Sequence, residues 1–164
     1  MSAPDPRLPT EQGEADATEF RGVVFRIGGE LHACDVRLVE EVVTGQRVHP
    51  FPDVPRPLLG VVRLRGSLVP VLDLAPGLGL RLEETATPDV LVLDAGDRRV
   101  GVAVDEAREV SVFPASAVRP APQRGAEQEE HVLGVARAGD ALVTLLDLAA
   151  VLSNFTSLTT RETP

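Results

Sequence analysis

The sequence predicts a mostly β domain made of two related halves, each the size of a small barrel. Three observations lead there. Short Val- and Leu-rich runs alternate with turn signals along the chain, and Gly and Pro supply 14 residues each out of 164. Helix signals are few. Residues 59–75 (LGVVRLRGSLVPVLDLA) also align without a gap on residues 133–149 (LGVARAGDALVTLLDLA), with ten of the seventeen positions identical. Two halves of about five short strands each are barrel-sized, and closing a barrel removes the exposed edges that short strands leave.

The elements follow in order. Residues 1–18 are acidic, polar and proline-bearing and read as a disordered tail. FRGVVFRI and LHACDV form a hairpin, because Gly28-Gly29 supplies positive φ cheaply. LVEEVVT is a third run. VHPFPDVPRP carries Pro50, Pro52, Pro55 and Pro57, so it is extended coil rather than helix or central strand. LLGVVRLRGSLVPVLDL is a hairpin turning near Arg65-Gly66-Ser67, and APGLGLRLEETATP is a connection. DVLVLDAGDRRVGVAVDEAREVSV reads as strand, turn at Ala95-Gly96-Asp97, strand and strand. After the polar loop RPAPQRGAEQEE comes HVLGVARAGDALVTLLDLAAVL, a hairpin running into a short helix with Asp147 as N-cap. The domain spans residues 19–152, and residues 153–164 are a second frayed tail.

Composition narrows the function. The net charge of −9 argues against a nucleic-acid partner, which needs a basic surface. The absence of Trp and Tyr leaves little for stacking bases or sugars. One cysteine, Cys34, forms no internal disulfide framework. The N-terminus lacks a basic n-region and an apolar h-region, and no apolar run approaches the length of a membrane span. These features point to a cytoplasmic protein with no direct membrane insertion.

Candidate chemistry is sparse. Asp35, Asp73, Asp105 and Asp147 recur at strand ends, and their recurrence in both halves favours turn and helix capping over acid–base or metal work. His32 and Cys34 alternate on one strand, too few ligands for structural zinc. His49 and His131 have no partner at metal-ligand spacing, and no P-loop, nucleophile elbow or dinucleotide fingerprint occurs in its required context. The expectation is a protein with no catalytic residues, no metal and no cofactor, whose work is to hold other proteins.

The repeat separates scaffold from specialisation. Arg65-Gly66-Ser67 aligns with Gly139-Asp140-Ala141, so the second half turns without a cation there and the barrel itself does not require Arg65.

The ordered motifs FRIGGELHACDVRLVEEVV, LLGVVRLRGSLVPVLDL, VGVAVDEAREV and HVLGVARAGDALVTLLDLAAVL resemble the CheW-like domain of bacterial chemotaxis adaptors, over about residues 19–152. The resemblance implies two similar five-stranded SH3-like barrels side by side, with short helices at connections and near the C-terminus. It implies a non-enzymatic adaptor joining the histidine kinase CheA, through that kinase's homologous regulatory domain, to the cytoplasmic tips of methyl-accepting chemoreceptors in arrays at the inner membrane. Carried onto this chain, it places receptor or kinase binding on Arg65, Val39 and Glu41, and structural roles on Gly60, Gly66, Pro70 and Asp73. The family usually has Asn where Arg63 stands here, and Arg137 occupies the equivalent place in the second half.

A guanidinium on a tight turn can grip a carboxylate or helix-end carbonyls at small entropic cost, with Val39 offering apolar area if the hairpins adjoin. Two plainer readings stand beside this one: Arg65 as a solvated turn charge, or Arg65 paired internally with Glu41. At the level of the molecule, the alternatives are a CheW-like module in a non-motility pathway and a small-molecule-sensing regulatory domain.

Overall fold

The computed structural model describes residues 19–53, 57–121 and 131–154. The tail expected over 1–18, most of the C-terminal tail and most of the loop after Arg119 lie outside the described residues. Eleven strands run β1 Glu19–Ile27, β2 Glu30–Asp35, β3 Val39–Val43, β4 His49–Pro50, β5 Leu58–Leu64, β6 Ser67–Leu72, β7 Asp89–Asp94, β8 Arg99–Val104, β9 Glu106–Pro114, β10 Val132–Ala138 and β11 Ala141–Leu146. Residues 148–154 are helical, so the helix runs through Ser153 and Asn154, two residues beyond the expected end of the domain.

The strands form two sheets, in the orders β10-β11-β2-β1-β9 and β3-β7-β8-β6-β5-β4. Every predicted hairpin forms. β1 meets β2 across Gly28-Gly29, whose φ values of 60° and 82° suit a two-residue turn. The proline-rich segment departs from coil at His49–Pro50, which pairs with Val61 and Gly60 as a two-residue edge strand. An edge is where a strand tolerates a proline, because no neighbour there needs its missing N–H.

The two halves of the sequence do not each form their own sheet. β1 and β2 of the first half join β9, β10 and β11 of the second, and β7 and β8 of the second join β3 to β6 of the first. The halves therefore exchange their leading hairpins. The equivalence is detailed. β11 runs parallel to β2 as β6 runs parallel to β8. Register slips beside Gly60 and again beside Gly134. The His49–Val61 pair has its counterpart in an isolated bridge between Arg119 and Val135.

Gly60 and Gly134 owe their identity to these crossings. A Cβ on Gly60 would lie 2.2 Å from the His49 carbonyl oxygen, and one on Gly134 would lie 2.6 Å from that of Arg119. Backbone atoms cannot swing aside as a long side chain can, so only glycine fits.

Apolar residues segregate into three clusters. Val62, Val69, Val71, Val90 and Val92 fill the inside of the second sheet; Phe20, Val24, Phe113, Val143 and Leu145 fill the first. The largest cluster joins the sheets, with Phe25, Ile27 and Cys34 packing against Leu72, Leu91, Leu93 and Val102. Complete burial of side chains such as Phe25 and Ile27 is worth about 1.5–3 kcal/mol each, so the two sheets are held as one body. Cys34 acts as a small core residue: burial, then the neighbouring Asp35 charge, push its thiol up to about 12, and it stays protonated at neutral pH.

Candidate functional site

The β5–β6 hairpin turns in two residues between the paired Leu64 and Ser67. Both turn residues have positive φ, Arg65 at 48° and Gly66 at 83°. That is the pattern of a type I′ turn, whose twist matches the flanking strands. For Gly66 the conformation is natural. For Arg65 it places a side chain in the left-handed region, at a cost of about 1–2 kcal/mol. The twin turn has Gly139 at φ 63° in the corresponding place.

From this turn the Arg65 guanidinium reaches the carboxylate of Glu41 on β3 and donates to its Oε1 from Nη2. The Arg65 side chain is 70% exposed and that of Glu41 29%. A second guanidinium, Arg99 at the start of β8, lies 4.0 Å from the same Glu41 oxygen. Two cations thus share one anion, and the cluster carries a net positive charge on a chain of net charge −9. Arg99 escaped the sequence reading. Nothing in its local sequence marks it, and its nearness to Glu41 depends on β7 lying between β3 and β8.

Two opposing energies bear on Arg65. An ion pair this exposed is worth about 0.2–1 kcal/mol. The left-handed backbone costs as much or more. The fold therefore gains nothing from Arg65 that a glycine would not provide. The internal pair with Glu41 forms, and it restrains the guanidinium without removing it from solvent.

Val39 sits elsewhere than expected. Its side chain is half-buried and packs against the central core, so it offers little apolar surface. A bulge between Val39 and Glu41 resets the pairing of β3 with β7, and Val42 is the exposed apolar residue of that strand. Leu68 is exposed beside the turn.

Three of the recurring aspartates behave as caps. Asp35 accepts from the Arg37 N–H at 2.9 Å and also takes that guanidinium. Asp73 accepts from Ala75 N–H at 3.0 Å, and Asp147 from Ala150 N–H at 3.2 Å at the start of the helix. Burial pushes the Asp35 carboxyl up, but the Arg37 side-chain bonds, its N–H and its charge outweigh this and hold the group below its ordinary value.

Asp105 departs from capping. It stands where the chain crosses from the second sheet to the first, its side chain 1% exposed. It accepts from Gly28 N–H at 2.7 Å and Glu83 N–H at 2.8 Å, with the Arg26 guanidinium at 3.7 Å. It therefore ties the β1–β2 turn to the connection ahead of β7. Asp89 adds a stitch nearby, accepting from Ala107 N–H at 2.8 Å. Among the described residues no group of three or more His, Cys, Asp or Glu side chains is placed to hold a metal.

The described residues thus form a two-sheet domain that presents an exposed, restrained arginine on a strained turn. The chain belongs to the CheW-like domain family, whose profile matches residues 21–155. It is 31% identical over 146 residues to the chemotaxis protein CheW of Klebsiella aerogenes, covering 87% of this chain and 86% of that one. It is 30% identical over 138 residues to the chemotaxis protein CheW of Bacillus subtilis, covering 82% and 88%. The solved structure of the scaffolding protein TtCheW from Thermoanaerobacter tengcongensis superposes with a TM-score of 0.66 at 25% identity, over 77% of this chain and 88% of that one.

Proposed function

We propose that this protein is a non-enzymatic adaptor that couples the cytoplasmic tips of chemoreceptors to the histidine kinase CheA, in arrays beneath the inner membrane. Family membership supports the adaptor role, and the Arg65 turn carries the site. A guanidinium held by Glu41 alone would leave a half-buried carboxylate unpaired on binding a partner. Here Arg99 stands ready to keep Glu41 compensated while Arg65 turns to a carboxylate or helix-end carbonyl. Neither the adaptor nor its arginine turns anything over; the chemistry is charge-assisted hydrogen bonding on a preorganised hairpin. No helix among the described residues is long and apolar enough to cross a membrane.

The test is reconstitution of the kinase with receptor-bearing membranes. The adaptor should restore receptor-dependent kinase activation, and Arg65→Ala and Glu41→Ala should fold normally but fail to capture receptor or kinase. Normal binding and activation by both variants would refute the site. One observation favours a second reading, a small-molecule sensor: an open cavity of about 560 Å³ lies between Phe20, Leu38, Leu133 and the start of the C-terminal helix. A metabolite screen by thermal shift with no hits counts against it.

A further inference from the structure

Most positions retained by both halves serve packing or capping. Val69 and Val143 are buried, Gly60 and Gly134 sit at close crossings, and Asp73 and Asp147 cap. One retained pair serves neither. Arg63 stands directly opposite Leu68 in the β5–β6 hairpin, as Arg137 stands opposite Leu142 in β10–β11. Both arginines are exposed, and the leucines are 62% and 56% exposed, the two most exposed large apolar residues described. A cross-strand Arg–Leu pair lends each hairpin a little local support. Charge then separates the twins. Residues 58–72 hold Arg63 and Arg65 and no acid, whereas residues 132–146 offset Arg137 with Asp140.

We propose that the β5–β6 hairpin is a docking strip for an acidic amphipathic helix of the receptor tip, with Arg63 and Leu68 extending the Arg65 site. This rests on the adaptor reading above. Arg63 lies near the end of β5 and Arg65 opens the turn that follows it, so the hairpin carries two guanidiniums two residues apart. Carboxylates four residues apart on a helix are separated by about 6 Å of rise. Two such acids meet the two guanidiniums, and an apolar residue between them covers Leu68. The β10–β11 hairpin keeps the Arg–Leu pair but lacks the second cation, so it does not take this ligand.

The test measures binding of a purified receptor signalling-tip fragment from the same genome by fluorescence anisotropy over a salt series. Arg63→Ala and Leu68→Ser should each weaken binding about tenfold, and Arg63→Ala should flatten the salt dependence, with melting temperatures unchanged. Arg137→Ala and Leu142→Ser should leave binding as it was. Arg63→Glu should be rescued by exchanging a tip carboxylate for lysine. If Arg65→Ala weakens binding while Arg63→Ala and Leu68→Ser stay within twofold, the extension is wrong and the Arg65 site stands. If Arg65→Ala has no effect either, the site itself is wrong. Loss of binding to the kinase's regulatory domain in place of the receptor fragment overturns the assignment of the partner.

Discussion

At the scale of single residues, opposing small energies set Arg65 apart from its glycine twin. Arg65 occupies left-handed backbone that glycine takes at no steric cost, and its exposed pair with Glu41 repays that strain only in part. Arg65→Gly should therefore leave stability within about 1 kcal/mol of the parent, on the stabilised side, by urea unfolding. Asp105 is the opposite case. Its buried carboxylate serves two backbone N–H donors in different parts of the chain. Asp105→Asn keeps the shape but turns an NH2 toward one of those donors, and should cost about 1–3 kcal/mol, with faster amide exchange at Gly28 and Glu83. Unchanged exchange at both positions would show that the carboxylate is not the tie.

At the scale of elements, local chemistry was legible and long-range placement was not. Gly28-Gly29 and the Gly66 turn announce hairpins, and Asp147 announces a helix start, because turn type and capping depend on a few adjacent residues. The inward face of Val39 was not legible, since the bulge that sets it belongs to the pairing of β3 with β7. The tie made by Asp105 and the approach of Arg99 to Glu41 likewise arise only once strand order exists. Gly60 shows the reverse traffic: the family resemblance marked it as structural, and the crossing with His49 supplies the reason. Gly60→Ala should lose about 1–3 kcal/mol or more, read as a lowered urea midpoint, whereas Gly77→Ala, with open space around its Cβ, should sit near the parent.

At the scale of the molecule, the repeat was readable and its exchange was not. Either arrangement of hairpins buries the same apolar faces, so the period of the sequence cannot choose between them. The exchange carries a consequence. A fragment ending in the connection before β7 lacks the two strands that lie between β3 and β6 in their sheet. Neither half should fold alone as a monomer, and mixing the halves should restore cooperative melting and the parent circular dichroism spectrum. A half that melts cooperatively as a monomer would show that the exchange is dispensable. The exchange also joins the sheet that carries the Arg65 turn to the other through a shared core, which suits an adaptor.

The most direct measurement is kinase activation in a reconstituted receptor–kinase–adaptor assembly, with Arg65→Gly compared against the parent at matched melting temperature. Activation should fall to the level without adaptor although the fold is as stable as before. Full activation by Arg65→Gly would contradict the account, because the strained arginine would then serve neither the fold nor the partner.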